Sequence, residues 1–383
     1  MPFALLLLLS LLPVVAAPPL RQAAPALPPD TRFVATEGAS LGARIESAVR
    51  RGRAADASHF WIAYGFDVRP GIVVDLELKD SRGGRTEFEG MSVDTSSKVE
   101  TRNLAIFLLY ERTTSRPDRV EVYNLDRKRG YDGYTVYWAG HAGADESLGL
   151  LGDLLSAQPS TWVAERSIAA IALHADPRAD DMLESLARSP APESSRKVAL
   201  QWIGLVTDRI EFLASVARDG KESIEIRSQA ALAIGLSSSP RAVGALADLY
   251  AASPGVPIRE QIVDATGIHN RPEDTDAAID LLIRVADTDR DLGVRRKAIF
   301  WLSQKAGARS MAALESKLES PEDDIQRQAV FAISQRPKEE AVPVLMRLAR
   351  GHRSPVVQQQ AIFWLGQIDD ERVVPFLKEL LGR

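Results

Sequence analysis

Seven segments of this chain, beginning at Arg166, Arg196, Arg227, Arg259, Arg295, Gln326 and Gln358, fall into register with one another. That repetition limits the possible folds more than any other feature of the sequence. Eight residues into each segment stands a landmark: His174, Gly204, Gly235, Gly267, Ser303, Ser334 and Gly366. Successive landmarks lie 30, 31, 32, 36, 31 and 32 residues apart. Five residues before each landmark is a small or apolar residue (Ala169, Ala199, Ala230, Ile262, Ala298, Ala329, Ala361), and the residue just before it is nearly always Leu or Ile. This is a helical period. A second apolar helix fits between successive copies, as at 241–251, 311–318, 342–349 and 373–381. One pair of about 30 residues cannot bury its apolar stripe alone, so the pairs must stack into an α-solenoid. The 36-residue interval contains Asp287, Asp289 and Asp291 within 287–293, where an extended loop is expected.

The copies VRRKAIFWLS (294–303), IQRQAVFAIS (325–334) and VQQQAIFWLG (357–366) resemble HEAT repeats of the short type found in phycobilisome-lyase proteins, as do the partner stretches AVPVLMRLA and VVPFLKELL. The resemblance covers residues 145–383. It implies a solenoid with a concave binding surface and work as a protein-interaction scaffold. It also admits a lyase-like accessory role in attaching a chromophore.

The rest of the chain divides into three stretches. Residues 1–26 read as a secretory signal peptide and linker: residues 3–12 are almost unbroken apolar, Val15, Ala16 and Ala17 are small, and a Pro/Ala-rich stretch follows. The apolar run is too short and too interrupted to span a bilayer, so no stable membrane span is expected after cleavage. Export to a bacterial periplasm or to the medium follows, and the absence of cysteine is compatible with it. Residues 27–57 read as a linker with a short helix, on the spacing of Leu41, Ile45 and Val49. Residues 58–140 read as a small antiparallel β-rich domain. Val74 to Lys79 alternates apolar and charged, 104–110 is continuously apolar, and Val120–Tyr123 and Tyr134–Trp138 flank an Asp132-Gly133 turn.

Composition removes several kinds of function. Without cysteine there is no disulfide, thiolate metal site or cysteine nucleophile. A formal charge of −5 argues against a general nucleic-acid binder. The five histidines are scattered, and HExxH, a Walker loop and GxGxxG are absent, so neither metal nor cofactor is expected. Gly38-Ala39-Ser40-Leu41-Gly42 matches a nucleophile elbow, but no alternating β/α pattern follows it, and Ser40 reads as a helix cap. Asp287, Asp289 and Asp291 copy the start of a calcium loop, yet Leu292 stands where the turn needs Gly and Ala298 where a bidentate Glu belongs. Asp75 and Glu77 share a strand face, and Arg127-Lys128-Arg129 form a short basic run; both read as solvated surface. A hydrolytic site, or a stacking platform of Tyr123, Tyr134, Tyr137 and Trp138 for a small ligand or cell-wall fragment, remains the alternative for the β domain.

One pattern exceeds what folding needs. On a helical wheel the position three before each landmark falls opposite the core. The last three copies place Phe300, Phe331 and Phe363 there, with Arg296, Arg327 and Gln359 one turn earlier. Stacked at about 10 Å per step, these six residues form a Phe/Arg ladder on the concave surface. Aromatic side chains and arginine are the composition of interface hot spots, so the ladder is the expected contact for another protein.

Overall fold

A computed structural model describes residues 30, 32–70, 103–126, 129–157 and 159–382. The leader and the strand expected at 74–79 lie outside them. The first described elements are strand β1 (Val34–Ala35), helix α1 (Leu41–Ala54) and strands β2 (His59–Gly65), β3 (Leu104–Glu111), β4 (Arg119–Asn124) and β5 (Val136–His141). Helices α2 (Ala144–Ser156), α3 (Thr161–Ala172), α4 (Pro177–Arg188), α5 (Glu193–Val206), α6 (Ile210–Arg218), α7 (Ile224–Leu236), α8 (Ala242–Ala252) and α9 (Val256–Ile268) follow. The last are α10 (Thr275–Thr288), α11 (Leu292–Gln304), α12 (Ala308–Lys317), α13 (Asp323–Ser334), α14 (Lys338–Gly351), α15 (Pro355–Leu365) and α16 (Val373–Leu381).

The seven aligned segments are the odd helices α3 to α15, stacked as one layer, with the even helices from α4 onward along its other side. Neighbouring odd helices pack backbone to backbone, whereas neighbouring even helices touch at few points. The odd layer is therefore the inside of the curve. Its landmarks show why they are small. A Cβ on Gly204 would lie 2.2 Å from the Ala233 carbonyl oxygen of the next inner helix, and one on Gly235 would lie 2.3 Å from that of Ala265. Ser303 and Ser334, which carry a Cβ at the same register, fold their hydroxyls back onto the Phe300 and Phe331 carbonyls of their own helices.

The Arg or Gln opening each aligned segment ties the repeats together. Arg196, Arg227 and Arg295 donate to the carbonyls of Ala187, Ala217 and Ala286, at the C-terminal ends of the preceding outer helices. Gln326 and Gln358 do the same to Ser320 and His352. A cation there also meets the negative end of the helix dipole. The arginines then reach forward: Arg196 to Glu222 at 2.6 Å, Arg259 to Asp289 at 2.9 Å and Arg295 to Glu322 at 2.5 Å.

Asp289 is buried and also accepts from the Tyr250 hydroxyl at 2.6 Å. The extended loop expected at 287–293 is thus replaced by a tight three-residue link. The extra length of that interval lies in a 14-residue α10 and in the turn before it at Pro272–Asp274.

The sheet is mixed rather than antiparallel, in the order β1-β5-β2-β3-β4. The pairs β2–β3 and β3–β4 are antiparallel, but β5 inserts between β1 and β2, parallel to both. One face, with Phe60, Ile62, Tyr64, Ile106 and Tyr137, joins α1 and the solenoid in a single continuous core. The other carries Trp61, Phe107, Tyr123 and Trp138 beneath Phe33 and Tyr131. Tyr131 and Asp132 adopt left-handed backbone (φ 49° and 55°), which stacks the Tyr131 ring on Phe107 at 5.2 Å and points its carbonyl at the Trp61 indole N–H.

The sheet closes the first repeat as another repeat would. Strand β4 packs on α3, and its buried Glu121 faces Arg166, the first of the aligned arginines, at 3.7 Å. After β2 the chain runs along the end of α3, where the Arg69 N–H donates to the Leu173 carbonyl and the Ala175 N–H to that of Asp67. The Arg69 guanidinium caps α3 and α5 through the Ala172 and Val206 carbonyls and pairs with Asp180.

Candidate partner-binding face

The six ladder residues fall where the wheel placed them, on the inner helices α11, α13 and α15, but the three rings differ. Phe300 is 37% exposed and Phe363 54%, whereas Phe331 is half-buried. Phe331 lies against Trp364 of the next repeat, with ring centroids 5.1 Å apart. Phe300 and Phe363 each make only an edge contact with the tryptophan beside them in sequence. Arg296 and Gln359 are exposed. Arg327 is exposed too, but leans on Asp324 at 3.1 Å and Asp323 at 3.8 Å in the first turn of its own helix.

These differences in exposure separate the rings energetically. Phe331→Ala should cost about 2 kcal/mol of stability, because it empties an inter-repeat contact, while Phe363→Ala should stay within about 0.5 kcal/mol. Urea titrations of the two variants, run side by side, check this.

Trp301 and Trp364 pack inward against the core as the wheel placed them, each half-buried. Trp301 covers Gly267, where any Cβ would collide with the indole. Its Nε1–H donates to Asp264 at 2.8 Å, and Lys297 donates to the other oxygen of that carboxylate at 2.8 Å. Glu260 adds a second carboxylate 3.6 Å from Lys297. Asp264 occupies the ladder position of α9, so the apolar ladder gives way there to a closed ionic cluster. The sequence placed Asp264 at that position without showing its partners.

Two residues beyond the landmarks, His269, Lys305 and Arg336 each reach back to the preceding repeat. They bond to the carbonyls of Gly235, His269 and Ser303 respectively. Burial lowers the Lys305 pKa from its ordinary value. These contacts fix the spacing of the face.

The other motifs are structural. Ser40 caps α1 by accepting from the Ala43 N–H. Asp291 caps α11, Asp289 is held by Arg259 and Tyr250, and Asp287 pairs with Lys317, so the three carboxylates do not converge. Asp75, Glu77, Arg127 and Lys128 lie outside the described residues, and Arg129 stacks over the Tyr123 ring at 4.2 Å. The expected stacking platform is corrected as well: Tyr137 faces α1 while Tyr123, Tyr134 and Trp138 face the other side. Tyr123, Tyr137 and Trp138 are at most 8% exposed.

The family model for HEAT repeats matches residues 311–383, which hold α13 to α16 and two of the three rings. Residues 311–383 carry HEAT repeats. No curated protein sequence matches it. Among solved structures, human deoxyhypusine hydroxylase is similar at 17% identity, over 61% of this chain and 89% of that one, with a TM-score of 0.31. The CpcE–CpcF complex of phycocyanin lyase from Nostoc is 19% identical over 52% and 80%, with a TM-score of 0.33. The archaeal HEAT-like repeats protein from Thermococcus onnurineus is 14% identical over 61% and 98%, with a TM-score of 0.34.

Proposed function

We propose that this HEAT solenoid is an interaction scaffold that works outside the cytoplasm and holds another protein on the inner face of α11, α13 and α15. The observation carrying the reading is the exposure of Phe300 and Phe363 in one row. Among the described residues only five large hydrophobic side chains are exposed, and these two share a face with the exposed Arg296 and Gln359. Isolated exposed hydrophobics are ordinary; aromatic side chains aligned with arginine on a concave wall are what a partner desolvates. Export rests on the apolar leader at residues 3–12 and the Pro/Ala-rich stretch behind it.

The double variant Phe300→Asp/Phe363→Asp tests the scaffold. It spares Phe331, so its circular dichroism should match the wild type. A partner crosslinked to the wild type in the cell envelope should bind it 10- to 100-fold more weakly. Unchanged capture, or an unfolded variant, would sink the reading.

A further inference from the structure

Four glutamines occupy one position on four inner helices: Gln229 on α7, Gln261 on α9, Gln328 on α13 and Gln360 on α15, each six residues before its landmark. All four are half-buried, and none has a hydrogen-bond partner among the described residues. Gln326 and Gln358, one turn or less away on α13 and α15, are by contrast bonded to the Ser320 and His352 carbonyls. The equivalent position on α11 is Lys297, already held by Asp264 and Glu260. The free amides run beside the ring ladder, about 60° away on the helical wheel. At one end they enter a cleft of about 280 Å³ lined by Gln229, Gln261, Lys197, Ile224 and Leu232.

Resting on the reading of this face as an interaction surface, we infer that its occupant is an extended polypeptide segment in the polyproline II conformation, with an apolar residue or proline at every third position and an acidic residue near Arg296. The spacing supports this occupant. Inner helices repeat at about 8–10 Å, and a polyproline II chain advances about 3.1 Å per residue with three residues per turn, so every third side chain faces the same wall at about 9 Å intervals. Such a chain makes no internal hydrogen bonds and leaves its carbonyls free. A glutamine amide offers the matching donors, and its own oxygen takes any main-chain N–H. The rings supply an aromatic wall of the kind that holds proline-rich segments. Charge fixes the acidic residue: Arg296 is exposed beside Phe300, and no carboxylate pairs with it among the described residues.

A phage-displayed library of random linear 16-residue peptides, panned on the full chain, tests the inference. Enriched peptides should carry proline or apolar residues at period three together with an acidic residue. Their affinity, read by fluorescence anisotropy, should fall at least tenfold on the helical double variant Gln261→Leu/Gln328→Leu, and Arg296→Glu should abolish the preference for acid. Enrichment without that period, affinity indifferent to the amides, or no enrichment overturns the inference. If a natural partner still depends on Phe300 and Phe363 while the library yields nothing, the face holds a folded domain; the scaffold reading then stands and this one fails.

Discussion

Gly235→Ala should destabilise the solenoid by about 3 kcal/mol or more, although it adds one methyl group to a helix in which alanine is the better former. The new Cβ would sit 2.3 Å from a backbone oxygen of the next inner helix, and a backbone cannot rotate out of the way as a side chain can. Helices α7 and α9 would have to separate, opening a gap along a joint now lined by Ala230, Ala233 and Ile262, all buried. The control is Gly244→Ala on the outer helix α8, where nothing lies within 4 Å of the added carbon. There the usual helix preference should appear as a gain of up to about 1 kcal/mol. Urea unfolding followed by circular dichroism separates the two. Because repeats interact mainly with neighbours, the Gly235 variant should also broaden the transition or split it in two. Equal stability of the two variants would show that the inner helices yield at little cost.

Stability should fall between about pH 6.5 and pH 4, earlier than the carboxylates alone would cause. His174 is buried between the sheet and the first repeats, its ring stacked on Phe66 at 4.5 Å. Its Nδ1 lies 2.7 Å from the Ala170 carbonyl, which can only accept, so Nδ1 carries the proton and Nε2 is the acceptor. Ser147 therefore donates to Nε2 at 2.8 Å and accepts in turn from the Tyr64 hydroxyl at 3.2 Å. Every member of this chain is satisfied only while the ring is neutral. Burial pushes the His174 pKa down to about 4, against the raising effect of its hydrogen bonds and of Asp176 and Asp67.

The folded pKa lies below the unfolded one, so the unfolded chain takes up the proton first as the pH drops. The contribution of His174 is complete above about pH 6.5 and is lost progressively toward pH 4, amounting to roughly 3 kcal/mol. Asp176 and Asp370, held down to about 2 by Arg178 and Arg372, release their share only in stronger acid. His174→Gln should flatten the dependence between pH 6.5 and 4 while lowering stability at pH 7. An unchanged slope in that variant would place the titrating group elsewhere.

The inner layer was legible in the sequence because close packing restricts residue type. At two joints the inner backbones leave no room for a Cβ, and Gly204 and Gly235 stand there, in register with small Ser303 at a spacing no side-chain preference would produce. The same wheel found the ladder. It did not distinguish Phe331 from Phe363, because that difference depends on Trp364 of the following helix and not on the helix carrying the ring. The amide row stayed hidden for a related reason: whether a glutamine is bonded depends on what the fold brings near it. In the sheet, β3 and β4 announced themselves by local pattern. The parallel insertion of β5 did not, since Val34 pairs with Tyr137 across about a hundred residues and a pairing that distant leaves no local trace. The extended loop expected from three aspartates failed because Asp289 is bound inside the fold by Arg259 and Tyr250.

The close inner joints and loose outer ones make the solenoid act like a hand fan. Any bending would keep its line of constant length at the glycine contacts, where the backbones touch, and would be taken up by the sparsely packed outer helices. Curvature can then adapt to the bulk of whatever lies in the trough, while the rungs of rings and amides keep their pitch. If the proposed partner lies there, such a ruler would measure it along the chain rather than across it.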